Sequence, residues 1–324
     1  MIHRFNVVVI LATAWAPIVT LASPPETATQ TGPKRSLLAA DDGKRTIALL
    51  DGNGKVLWKH SAGPFHDAQL LGSGNILFQT NYQNLVEMDR EGKTVWKYNA
   101  KCNGNEKRPV EVHAFQRLPN GLTMIAESGP GRIIEVDRDG KIQHELRLKV
   151  DQPNAHRDTR LARKLDSGNY LVAHEGDGVV REYDPSGKVV WEFAVPLFGR
   201  QPKGGHAAEA FGNSVFSAVR LANGNTLIGT GNGHSVLEVT PAKEIVWKLE
   251  QNDLPGIQLA WVTTLQPLAN GNIIVGNCHA GPKNPQLIEV TRDKKVVWTF
   301  RDFKLFGDAT PVAIVLDDQG QPLK

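Results

Sequence analysis

Sulfur is scarce in this chain. Its 324 residues include two cysteines, Cys102 and Cys278, and three methionines. Two cysteines cannot frame a disulfide-dependent scaffold, so at most one bridge, Cys102 to Cys278, is open to it. No Cys-x-x-Cys or His-x-x-x-His spacing occurs, which removes the compact metal motifs. Basic blocks are missing too, as are aromatic residues interleaved with basic ones, and the net charge is only +3. Nucleic acid is therefore not an expected partner. Long apolar runs are absent as well. The run from Val7 to Ala16 is stopped by Pro17 and falls short of the roughly 20 residues a membrane span needs. With Arg4 before it and Thr20-Leu21-Ala22 after it, it reads instead as an export signal over 1–22. Its removal takes one charge, leaves a nearly neutral chain without a stable span, and implies a secreted or periplasmic protein. Residues 23–33, rich in Pro, Thr and Ser, read as a flexible leader before a fold over 34–324.

Glycine, in contrast, is plentiful, at 31 residues. It suits short strands joined by tight turns. The segments LLDGNGKVLWKH, EMDREGKTVWKY, EVDRDGKIQHEL, EYDPSGKVVWEF, EVTPAKEIVWKL and EVTRDKKVVWTF are six copies of one hairpin. Their anchors are Trp58, Trp96, Trp191, Trp247 and Trp298, with His144 in the third copy. Spacings of about 40 to 55 residues match a four-stranded propeller blade.

A second hairpin precedes each copy. Leu-Ala-Asn-Gly-Asn occurs at Leu221–Asn225 and Leu268–Asn272, with looser versions around Gly74, Gly121 and Gly168. Each blade is thus four antiparallel strands, A to D, with the tryptophan on the outermost as a packing wedge. The first copy lacks strand A, and Pro311–Leu316 can supply it. The expected fold is an all-β, six-bladed propeller closed by its C-terminal strand, which leaves no open sheet edge at the seam.

At these Asp-x-x-Gly-Lys-x-Val-Trp segments the chain resembles the pyrroloquinoline-quinone-type propeller repeat. Quinone dehydrogenases of that superfamily have eight blades and a vicinal cysteine pair. Six copies without adjacent cysteines imply that pyrroloquinoline quinone is not the cofactor here. The six-bladed arylsulfate sulfotransferases are architecturally similar and use histidines at the channel mouth, although they carry an additional N-terminal β-domain.

In a propeller the D-to-A connections and B-to-C turns emerge on one face, around the central channel. His66, His113 and His156 fall at entries to strand A. His66 and His113 each stand five residues before the leucine that precedes the A–B turn, while Arg160 competes with His156 for that position in blade 4. The B-to-C turns carry Glu127, His174, Glu175, Asn232, His234, Asn277, Cys278 and His279. Three readings follow. His66, His113 and His156 could share a divalent metal. One histidine could act as base or nucleophile, with Arg157 or Arg160 stabilising an anion. Or the histidines bond loop backbones and line a wet channel, and the remaining turn residues bind a small molecule, glycan or protein. The long connection holding Gly199–His206 could close as a basic lid.

Overall fold

The computed structural model describes residues 28–324. The export signal read over 1–22 lies outside them. No described helix is long and apolar enough to cross a membrane.

The described strands make six sheets in a ring. Before them comes β1 (Thr29–Thr31). Blade 1 holds β2 (Ser36–Asp41), β3 (Thr46–Leu50) and β4 (Val56–Ser61). Blade 2 holds β5 (Ala68–Leu70), β6 (Ile76–Asn81), β7 (Asn84–Met88) and β8 (Thr94–Asn99). Blade 3 holds β9 (Glu111–Arg117), β10 (Thr123–Ser128), β11 (Arg132–Val136) and β12 (Ile142–Arg147). Blade 4 holds β13 (Ala162–Lys164), β14 (Tyr170–His174), β15 (Val179–Tyr183) and β16 (Val189–Ala194). Blade 5 holds β17 (Ser217–Arg220), β18 (Thr226–Gly229), β19 (Val236–Val239) and β20 (Ile245–Leu249). Blade 6 holds β21 (Trp261–Pro267), β22 (Ile273–Cys278), β23 (Leu287–Val290) and β24 (Val296–Arg301). The last strand, β25 (Val312–Leu316), pairs with β2 over Ser36↔Leu316 to Ala40↔Val312 and completes blade 1. The closure expected from the sequence is therefore the closure observed.

One element differs from the expectation. Thr29–Thr31, within the stretch read as a flexible leader, pair antiparallel with β24 and give blade 6 a fifth strand. The outermost strand of a blade offers unpaired backbone groups, and this segment satisfies them. Gln30 fastens it: its Oε1 accepts from Trp298 Nε1 at 2.7 Å and from the Arg35 amide at 3.0 Å.

The core lies between blades. Six apolar clusters each join two neighbouring sheets, and the cluster with Trp298, Phe300, Leu37 and Val315 closes the seam between blades 6 and 1. The anchors behave as wedges. Trp96, Trp191 and Trp247 donate Nε1–H to the carbonyls of Arg138, Pro241 and Arg292 on the next blade's C–D turn, at 3.0, 3.1 and 2.8 Å. The glutamate opening each later copy is equally occupied. Glu87 accepts from Asn75 on its own A–B turn at 2.8 Å, and from Arg117 and Arg138 of blade 3 at 2.9 and 2.5 Å. Glu182 and Glu238 repeat the arrangement with Asn169 and Arg220, and with Asn225 and Arg292. The repeat is thus the joint between blades, and it leaves the opposite face free to vary.

Candidate functional site

On the D-to-A face the position five residues before each A–B turn forms an inner ring. Blades 2 and 3 place His66 and His113 there. In blade 4 the position belongs to Arg160, whose amide bonds the Ala173 carbonyl at 2.8 Å and extends strand A. The same position carries Phe216, Thr263 and Val312 in blades 5, 6 and 1. His156 arrives separately, from the connection between blades 3 and 4, where its amide is held by Asn154 Oδ1 at 2.9 Å.

These groups converge. The His66 ring lies 4.4 Å from that of His113 and 5.7 Å from that of His156, and His113 and His156 are 5.4 Å apart, centroid to centroid. Between the last two stands Glu111. It lies two residues before His113 on β9, at a shift in the pairing with β10, and the two side chains meet. Glu111 Oε2 is 2.8 Å from His113 Nε2 and 2.7 Å from His156 Nδ1. On its other side, His113 Nδ1 lies 2.8 Å from the Thr159 carbonyl and 2.7 Å from Arg160 Nη1. Arg160 is buried and ion-paired with Glu175, which also accepts from Arg157 Nε at 2.9 Å.

A cavity of about 120 Å³ opens beside this group, and His66, His156 and Arg160 line it together with Asp42, Tyr82, His206, Trp261 and His279. His206 packs edge-on against Trp261 at 4.2 Å and stacks on His279 at 5.1 Å. Beneath, a larger cavity of about 260 Å³ runs along the inner strands, and His66, Phe216 and Pro311 line both.

The electrostatics follow from burial. Burial holds His66 well below its usual value, with neighbouring His113 and Arg160 adding to the effect. It lowers His113 to about 4, assisted by the Arg160 charge. Both imidazoles are therefore neutral at pH 7 and keep a lone pair. For Glu111 burial pushes upward, but hydrogen bonds from His113 and His156 prevail and bring it to about 2. Asp42 shows the reverse balance. Burial raises it to about 7 against a single bond from the Phe65 amide at 2.5 Å.

Other residues expected at the mouth are engaged elsewhere. Glu127 is buried among Tyr98, Asn105 and Arg132. His174 faces the Asp158 carbonyl through Nδ1 at 2.7 Å and Tyr183 Oη through Nε2 at 2.8 Å. Both ring nitrogens of His234 face backbone carbonyls, those of Ala260 and Ala210. Asn232 accepts from the Ser214 amide, and Asn277 accepts from the Ala260 amide while donating to the Gln258 carbonyl. Of the B-to-C residues expected from the sequence, Cys278 and His279 line the cavity, and Glu175 acts on it through Arg160. Cys102 and Cys278 are both free thiols. The Gly199–His206 connection is pinned: Lys203 and Phe211 exchange backbone hydrogen bonds at 2.8 Å, and the Arg200 guanidinium sits 3.5 Å over the Phe211 ring. Arg200 is thus engaged away from the mouth, and the connection delivers His206 to the cavity.

Glu111, Asp42, Tyr82 and Trp261 escaped the sequence reading. Two of them were within reach, because Asp42 and Tyr82 are the B-to-C turn residues of blades 1 and 2, where the same rule applies. Glu111 had a signal as well, its i, i+2 spacing from His113.

Comparison with known proteins bears on the fold and family. Among solved structures, a protein of unknown function from Bacteroides caccae is 24% identical, with a TM-score of 0.73 over 88% of this chain and 100% of that one. A catalytically inactive virginiamycin B lyase from Staphylococcus aureus, solved with quinupristin, is 13% identical, with a TM-score of 0.56 over 86% and 90%. At these identities the likeness is one of fold. No curated protein sequence matches the chain. These comparisons carry the propeller and not the sulfotransferase resemblance. A family model described as outer membrane protein assembly factor BamB matches residues 43–301, and the chain accordingly belongs to this BamB-like family of pyrroloquinoline-quinone-type propellers.

Proposed function

We propose that this protein is an exported enzyme of the hydrolase or lyase kind, acting on a small polar molecule at the channel mouth. One observation carries the reading: a single carboxylate oxygen, Glu111 Oε2, holds two imidazoles from separate segments within 2.8 Å of itself, beside a cavity. A binding surface has no need of such convergence. A reaction that moves protons does, because its acid and base must sit within hydrogen-bond reach of one substrate. Glu111 fixes the ring orientation of His113 and His156, and Glu175 fixes Arg160, a permanent cation for a developing negative charge. Trp261 and His206 offer an apolar wall to the remainder of the substrate. The fold is neutral in this choice, since propellers host both enzymes and binding proteins.

The test is a screen of wild type, Glu111→Gln and His156→Ala against activated esters, lactones and amides, read by mass change. Wild type turns over at least one class, and both variants lose at least 100-fold with unchanged melting. Equal rates in all three proteins, or no turnover of any class, would sink the reading.

A second reading has one observation behind it, the description of the matching family as an assembly factor. On that reading the face docks a protein. Glu111→Gln then leaves partner binding intact, while substitutions around the exposed rim weaken it.

A further inference from the structure

We infer that Glu111, His113 and His156 bind one divalent transition-metal ion of the Zn2+ type, leaving an open coordination position toward the mouth cavity. The inference rests on the catalytic reading above and names the agent of that chemistry. The three candidate ligand atoms, Glu111 Oε2, His113 Nε2 and His156 Nδ1, lie within 4.8 Å of one another. Two imidazoles and a carboxylate are a donor set that zinc and its first-row neighbours favour, and three protein ligands with a fourth position open characterise catalytic rather than structural sites.

The surroundings fit this role. A ligating imidazole needs a partner for its other nitrogen, and His113 Nδ1 has the Thr159 carbonyl at 2.8 Å. The ligands are also fixed before any ion arrives. Glu111 and His113 lie two residues apart on β9, and the loop bearing His156 is tied by Asp158 Oδ1 to the Asn154 amide at 2.5 Å. Two N–H groups now point at Glu111 Oε2. On ligation the His113 proton would move to Nδ1, toward the Thr159 carbonyl, so the rings stay neutral and the ion adds its two positive charges to the single negative charge of Glu111. The Arg160 cation nearby is offset by Glu175, so the ion would not meet an unbalanced positive charge.

A second, independent observation points to an occupant. His66 is buried beside His113, yet its Nδ1 has no hydrogen-bond partner in the protein. A buried nitrogen left unpaired calls for something not supplied by the chain. His66 lines the same cavity, where water or substrate on the ion's open position would bond it.

The experiment uses chelator-treated full-length mature protein, titrated calorimetrically with ZnCl2, with CoCl2 as a spectroscopic probe. Wild type binds one equivalent of Zn2+ and gives a tetrahedral Co2+ absorption band. Glu111→Gln, nearly isosteric, lowers affinity at least 100-fold at an unchanged melting temperature. His66→Ala keeps the stoichiometry and shifts the Co2+ band. Cys102→Ser, remote from the cluster, behaves as wild type. Failure of wild type to bind one equivalent, or equal affinity in Glu111→Gln, overturns the inference. The two readings separate cleanly. Turnover by chelator-treated protein that His156→Ala abolishes would sink the metal and keep the enzyme. Stoichiometric metal without turnover of any substrate class would sink the enzyme and keep the metal.

Discussion

Two regions of this propeller bury charge, and they do so in opposite ways. Around the outer joints Glu87, Glu182 and Glu238 each hold an asparagine of their own blade and an arginine of the next. These three joints repeat one arrangement, and Glu135 varies it with Lys164 and Tyr170 of the next blade. At the mouth each group occurs once. His66 keeps an unpaired nitrogen, Asp42 has one backbone bond, and Glu111 serves two histidines from different segments. Paired, repeated charge is what holds a ring together. Single, under-satisfied charge costs stability, and proteins keep it where it meets a ligand.

Four substitutions test that contrast. The largest effect is expected at the mouth: Glu111→Gln lowers turnover at least 100-fold and leaves thermal unfolding nearly unchanged. A large loss of stability instead would make Glu111 another joint. Next is a joint itself. Glu87→Ala strands the mostly buried Arg117, releases the half-exposed Arg138 to solvent and destabilises by about 2 kcal/mol in chemical denaturation, below the range for breaking a fully buried pair. It leaves the mouth's ligand affinity intact.

The third concerns pH. Because the folded state raises Asp42 from 3.8 to about 7, that state holds the proton more tightly than the unfolded chain. The protonated carboxyl therefore imposes no penalty below pH 4. As pH rises toward 7 the penalty grows, by about 1.4 kcal/mol for each tenfold fall in proton concentration, and it levels off above 7. Asp42→Asn keeps the acceptor for Phe65 N–H and removes that cost. Melting curves should show a gain at pH 8 and none at pH 4; a loss at pH 8 would mean that the ionised carboxylate is welcomed at the mouth.

The smallest effect belongs to the repeat. Where earlier C–D turns use glycine, Lys243 adopts φ 70°. Lys243→Gly relieves a left-handed backbone and stabilises by about 1 kcal/mol. No gain in denaturant midpoint would show the strain already absorbed by the turn.

How much of this was legible in the sequence differs between the two regions for a physical reason. The joints recur, and recurrence is visible along the chain: six hairpins, the fixed tryptophan and the strand missing from blade 1 were enough to give the ring and its closure at Val312–Leu316. The rule of five residues before the turn found His66 and His113 and offered Arg160 for blade 4, because a strand's register fixes where its side chains leave it. The strand at Thr29–Thr31 was hidden, since it forms by pairing with an open edge and not by any apolar pattern of its own.

The mouth is another matter. His174 and His234 sit at B-to-C turns as the cavity residue His279 does, yet their ring nitrogens turn to Asp158, Tyr183, Ala260 and Ala210. Local sequence decides that a histidine lies on this face. Only the packing of blades 2, 3 and 4 around one axis decides that His66 and His156 meet the Glu111–His113 pair of β9, because the distances between separate segments are a property of the closed ring and of no single repeat.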